Sequence, residues 1–407
     1  MSVTAPPRPP RPSDPVDRDE LEALVEALIE EARQRARRRR RRRGAIAILV
    51  GLIGATLFAV LDRAALSESS SPAFSARTGL GAAASSRMAF TQSRAGGQGS
   101  GALYVVNPDG SGRRRLAEVA HHRAPSWSPG GRQLTFLGTD GIKVVNADGS
   151  GLQKLAPGGQ PTWSPDGQRI AFVYEIGQDA RGSGLYLIDA DGSGQRRLVR
   201  TGAMEPRWSP NGRTIAFVRR QTPPSFDFDI YLVDADGGPA RNLTPTPAYE
   251  NDPDWSPDGR RIAFVRGYDI WLMNADGSGQ RRLTSGAARD RLPSWSPDGR
   301  TIVFDRRLGN RGSAVLGGKA SSVDIYVMNA DGSGLRRLAR NGAAPLWPRD
   351  GKRIAFSRPL GNGVGGFGFT LGNWEIFVMN ADGTDQRNVS RNRRWDDCCF
   401  PWSPGQK

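Results

Sequence analysis

The chain has 407 residues, 37% hydrophobic and 24% charged, with a net charge of +16. That length supports a large domain with a sizeable core, and two cysteines exclude a disulfide scaffold. Residues 1–62 hold 12 basic and 9 acidic side chains, leaving 45 and 32, a balance of +13, for the rest.

In chain order, residues 1–17 carry PPRPPRPSDP and are expected to form a disordered, proline-rich tail rather than a ligand for a proline-binding domain. Residues 18–43 are predicted as a cytoplasmic helix. Asp19, Glu20 and Glu22 lie at its start and arginines at its end, matching the helix dipole. Leu21, Leu24, Val25, Leu28 and Ile29 make an apolar stripe at helical spacing, which points to a homodimer through this helix.

Arg37 to Arg43 are seven consecutive arginines, and Gly44 to Leu61 are 18 residues without a charge. That run is long enough to span a bilayer, and arginines directly before it place that side in the cytoplasm. The arginines therefore read as partners of lipid head groups, not of nucleic acid. A cleaved signal peptide has a shorter apolar core and a shorter basic region, so an uncleaved transmembrane helix at 44–61 is favoured. Residues 62–87, rich in Ser, Ala and Gly, form a flexible linker. The expected protein is single-pass and type II, with its remaining mass outside the cytoplasm.

A repeat occupies residues 88–404. WSPDG or a near copy starts at Trp127, Trp163, Trp208, Trp255, Trp295 and Trp347, and a final WSPG starts at Trp402. An IAF-like strand starts at Met88, Leu134, Ile170, Ile215, Ile262, Ile302 and Ile354. An NADG-like turn starts at Asn107, Asn146, Asp189, Asp234, Asn274, Asn329 and Asn380. The spacing of 36 to 55 residues fits four short strands per unit. The first unit lacks a tryptophan strand and the last WSP has nothing after it. Residues 400–404 are therefore expected to complete the first blade, closing an all-β, seven-bladed β-propeller and removing its open edge.

The repeat PxWSPDGxxIAF…IYxMNADGSGxxRLT resembles that of TolB-like propellers. The resemblance covers roughly residues 88–404 and implies the propeller fold. TolB itself carries six blades beside an α/β domain, and no such domain is visible here.

NADGSG lacks the alternating aspartates and distal glutamate of a calcium loop, so it reads as a structural turn. The RRL at Arg196, Arg281 and Arg336 falls on outer strands, where charge blocks edge pairing. Function is expected on the opposite face, where links vary in length between blades. The position five residues before the repeat tryptophan carries His122, Glu250, Asp290 and Asp397 there. These would form a ring at the channel mouth able to meet a cationic group or a metal, against a reading as solvated strand ends. Asp305 and Trp374, at the ends of the long links of blades 6 and 7, join them as candidate ligand-binding residues.

No cofactor and no resident metal are expected. Catalytic residues are assigned none and the chain is read as not an enzyme: His121 and His122 are the only histidines, and no G-x-S-x-G elbow is present. The favoured function is a membrane-tethered binding or scaffold module for an envelope protein, a peptide or an anionic polymer. Alternatives are a polysaccharide-lyase-like propeller enzyme with a site at the channel mouth and a transmembrane sensor.

Overall fold

The computed structural model describes residues 87–94, 101–120, 124–174, 184–200, 202–221, 227–308, 323–360, 373–391 and 395–398, with backbone alone at 93–94, 360, 373 and 395–398. The expected tail, helix at 18–43, transmembrane segment at 44–61 and linker up to residue 86 lie outside the described residues. Among the described residues no helix is long and apolar enough to cross a membrane.

Seven four-stranded antiparallel sheets account for the described strands. Blade 5 shows the pattern: Glu250–Trp255 innermost, then Arg261–Arg266, Asp269–Asn274 and Arg281–Arg282 at the rim. Blades 2 to 7 occupy residues 126–156, 159–199, 203–242, 250–282, 289–339 and 343–388 in turn. First strands of neighbouring blades from 2 to 7 contact one another, which sets them around the central channel.

Blade 1 comprises Met88–Arg94, Gly101–Val106 and Arg114–Val119, and Trp395–Cys398 completes it by pairing with Met88–Arg94. The closure is as expected, but the strand lies at 395–398 instead of 400–404. In blades 4 to 6 the inner strands start five or six residues before their tryptophan, and Asp397 faces Gln92 as Glu250 faces Arg266.

The core lies between blades. The IAF phenylalanines Phe90, Phe136, Phe172, Phe217, Phe264, Phe304 and Phe356 are all fully buried. Phe304 and Trp295 of blade 6 pack against Ala263, Val265 and Leu272 of blade 5; Met88 and Phe90 of blade 1 pack against Ala355 and Ile376 of blade 7. Each such ring contributes roughly 2–3 kcal/mol of burial.

The repeated turns consume their own polar groups. Ser256 Oγ donates to Asp258 Oδ1 at 2.6 Å, and Arg260 N donates to the same oxygen at 3.0 Å. In NADGSG, Asp276 Oδ1 accepts from Ser278 N at 2.9 Å and Ser278 Oγ at 2.7 Å. The rim arginines do more than guard an edge. Arg241 Nη1 donates to Asp276 O at 2.9 Å and Arg281 Nη1 to Asp331 O at 3.0 Å, stapling each rim strand to the next blade.

Candidate functional site

The inner strands of blades 3 to 7 carry one extra residue each, three positions before the tryptophan, and that bulge shapes the channel. In blade 5, Asn251 faces Val265 but Asp254 faces Ala263, leaving Asp252 unpaired. Gln160, Glu205, Asp252, Leu292 and Ala344 hold this place in blades 3 to 7, with φ of 52°, 52°, 51°, 50° and 51°. Left-handed backbone costs a non-glycine residue about 1 kcal/mol or more, so the surroundings must enforce it. They do so from blade to blade. Glu205 N donates to Gln160 Oε1 at 2.7 Å, Leu292 N to Asp252 Oδ2 at 3.3 Å, and Ala344 N to Asp305 Oδ2 at 3.1 Å.

This arrangement gathers acids that the sequence did not flag. Burial, followed by the Glu205 carboxylate, pushes the Asp252 carboxyl up to about 7. Glu205 keeps one buried carboxylate oxygen without a hydrogen-bond partner among the described residues. Burial likewise raises Asp254 to about 6, although Trp295 N donates to its Oδ2 at 2.8 Å.

An aromatic rim adjoins this acidic floor. Tyr249 and Tyr268 are 46% and 43% exposed, unusual for rings on a folded surface. The Phe228 ring meets Tyr249 edge-on at 4.8 Å, and the Arg289 guanidinium lies over Tyr268 at 4.6 Å. Burial first, then the Glu205 and Asp252 carboxylates, hold the Tyr249 phenol above its ordinary value, so floor and rim share one field. Gly267 N donates to Tyr249 O at 3.1 Å and Asp290 N to Tyr268 O at 2.9 Å, fixing both tyrosines.

The ring expected from the sequence is not what the structure builds. Glu250 and Asp290 are 0% and 1% exposed, inside their blades. Arg266 Nε donates to Glu250 Oε1 at 2.7 Å, and Thr246 Oγ1 donates to it at 2.6 Å. Arg306 grips Asp290 with two bonds of 2.6 and 2.7 Å. Burial raises the Glu250 carboxyl to about 7 despite its partners. Asp305 is also fully buried, ion-paired with Arg291 at 3.2 Å, and burial raises it. Trp374 is half-buried beside Pro359. His122 and the Asp397 side chain lie outside the described residues. Buried strand-end acids thus replace solvated loop ends, because an arginine on the next strand faces each of the two. Among the described residues no group of three or more His, Cys, Asp or Glu could hold a metal ion.

Fold and closure define an all-β, seven-bladed propeller. Residues 141–268 match the family model of the TolB beta propeller domain. Among solved structures it is similar to a putative TolB from Agrobacterium tumefaciens, at 24% identity and TM-score 0.46, over 66% of this chain and 96% of that one. It is also similar to an oligogalacturonate lyase in complex with manganese, at 17% identity and TM-score 0.53, over 76% and 86%. A puromycin hydrolase S511A mutant matches at 15% identity and TM-score 0.58, over 76% of this chain and 53% of that one, about half its length. No curated protein matches.

The likenesses to the lyase and the hydrolase show the fold, and they correct one expectation. The expectation that the chain is not an enzyme rests on its two adjacent histidines and the lack of a G-x-S-x-G elbow. Structures of the same fold include propeller enzymes, at 17% and 15% identity, so the fold does not separate this chain from enzymes.

Proposed function

We propose that the propeller holds a protein or peptide partner on the loop-bearing face of blades 4 to 6, seating a cationic group of that partner against Glu205 and Asp252. One conjunction supports this: two exposed tyrosines adjoin the carboxylates of Glu205 and Asp252, and the Arg291 guanidinium that acts on Asp252 is already ion-paired with Asp305, so positive charge is short there. A ligand cation would supply that charge, and tyrosine faces attract cations and apolar groups alike. Titrating the full-length chain calorimetrically with terminally blocked peptides that differ by a single Lys-for-Gln exchange tests the reading. The lysine peptide should bind more tightly at pH 8 than at pH 6, as Asp252 loses its proton, and Asp252→Asn should weaken it on the order of tenfold. Equal affinity for the two peptides would overturn it.

A second reading is turnover at the same carboxylates, favoured by an Asp252 titrating near neutrality, where a general base is most effective. Hydrolysis or lysis of oligouronates that disappears in Asp252→Asn would support it, and no turnover by the intact chain would remove it.

We infer in addition that residues 44–61 anchor the chain once in a membrane, with residues 1–43 cytoplasmic and the propeller outside. Eighteen uncharged residues directly after seven arginines support this topology, and the stripe at 21–29 supports self-association. Proteolysis of sealed vesicles should cut the propeller from one side only; cleavage from the cytoplasmic side would refute the topology.

A further inference from the structure

Blades 5, 6 and 7 carry an arginine at the same position near the end of their second strand, clamped over two rings. Arg266 lies over Phe264 and Trp271 at 5.2 and 4.7 Å, and Arg306 over Phe304 and Tyr326 at 5.4 and 4.9 Å. Arg358 lies over Phe356 and Phe377 at 4.9 and 4.7 Å. In blades 5 and 6 its Nε donates to a carboxylate on the inner strand, Glu250 at 2.7 Å or Asp290 at 2.6 Å. Blade 7 has no such acid. Ala343 faces Ser357, so the residue opposite Arg358 is Gly342. A Cβ there would come within 2.8 Å of Phe356 and 2.9 Å of Ile325, so the chain leaves no room for an acid at that position.

The rest of the arginine's environment is retained. Arg358 Nη2 donates to Gln386 Oε1 at 2.6 Å and to Arg340 O at 3.1 Å, much as Arg266 Nη2 donates to Gln280 at 2.7 Å. Its Nε is buried and has no acceptor among the described residues. A buried donor without an acceptor costs stability that an incoming acceptor would return. Burial holds the Arg358 guanidinium below its ordinary value, with no anion to offset it. Beside it opens a cleft of about 520 Å³ whose lining, among the described residues, includes Arg337, Arg340, Asn341, Arg358 and Gln386 and no acidic side chain, although Arg337 is ion-paired with the buried Asp324 at 3.0 Å. Leu338 and Ala339 form an apolar wall along it.

We propose that this cleft between blades 6 and 7 binds a carboxylate from an acidic peptide, which reaches the Arg358 guanidinium from the cleft side and supplies the anion that Glu250 and Asp290 supply from the inner strand in the two preceding blades. A peptide side chain fits better than a free anion. Both internal precedents are carboxylates borne on extended backbone, and the Leu338–Ala339 wall suits an aliphatic stem. The site is separate from the tyrosine-rimmed one and selects the opposite charge.

The test is calorimetric titration of the full-length chain with a terminally blocked tetraglutamate peptide and its tetraglutamine counterpart. The first should bind and the second should not. Arg358→Gln should weaken binding on the order of tenfold, and Arg358→Lys nearly as much, since lysine keeps the charge but lacks the forked Nε–H. Arg340→Gln, at an exposed position, gives the same direction if the Arg358 variants fail to fold. Arg260→Gln, exposed on the opposite face, should leave affinity unchanged and so controls for net charge. Undiminished binding by Arg358→Lys would overturn the assignment. So would binding of inorganic phosphate or trigalacturonate with no binding of the peptide.

Discussion

On the turn-bearing face, the aspartates of WSPDG and NADGSG are held below the usual carboxylate range, Asp276 by hydrogen bonds from Ser278 and Asp258 first by one from Ser256. On the inner strands and the loop-bearing face, Asp252 and Glu250 are pushed up to about 7 by burial. One residue type thus serves two ends. Where the chain supplies donors locally, a carboxylate stabilises a turn; where it is sealed among strands with too few donors, it is left short of partners. The first situation repeats in most blades and suits structure. The second is concentrated in blades 4 to 6 and suits recognition.

The contrast can be broken most sharply within the loop-bearing face. Arg306→Ala strands the buried Asp290 charge and should cost roughly 3–5 kcal/mol in urea denaturation, whereas Arg358→Ala, which strands no acid, should cost far less. Comparable losses would show that ring stacking, not ion pairing, holds these arginines.

Next in size is the pH response of the channel acid. The folded pKa of Asp252 lies above its ordinary 3.8, so between those values the folded chain keeps a proton that the unfolded chain has released. Stability therefore falls as pH rises from about 4 to about 7. Asp252→Asn should raise stability by roughly 2 kcal/mol at pH 8, after allowing for channel water, and by almost nothing at pH 4. Thermal melts at the two pH values read this directly. The turn aspartates act with the opposite sign: their contribution is present above the ordinary carboxylate range and is lost as pH falls through their lowered values.

Ser256→Ala probes the turn face. It removes the donor to Asp258 and the acceptor of Arg261 N at 2.9 Å, and should cost about 1–2 kcal/mol by urea denaturation. Smallest of all, Tyr268→Ala should change stability by less than about 0.5 kcal/mol while weakening the cationic peptide on the order of tenfold. A large loss of stability would make Tyr268 a packing residue instead of a contact.

Residues close together in the chain were the readable ones. Pro257 and Gly259 with Asp258 announce a turn, and the Trp295-to-Ile302 spacing announces two strands joined by one. Counting such units was enough for seven blades and a shared first blade. The acidic positions five before each tryptophan were placed at the correct register, but their environment was misread. Glu250 and Arg266, and Asp290 and Arg306, are each 16 residues apart, and that recurring separation was a signal available in the sequence. Glu205 and Asp252 gave no such signal, since one extra residue in a strand follows from no local pattern.

The amino-acid sequence by itself determined the repeat, the turn chemistry and the closure, because those depend on backbone preferences and on alternation along short strands. Only the tertiary structure decided which acids are paired and which are left wanting. That outcome depends on what the neighbouring strand or blade presents across a few ångströms: Arg266 for Glu250, Glu205 beside Asp252, and for Arg358 the bare backbone of Gly342.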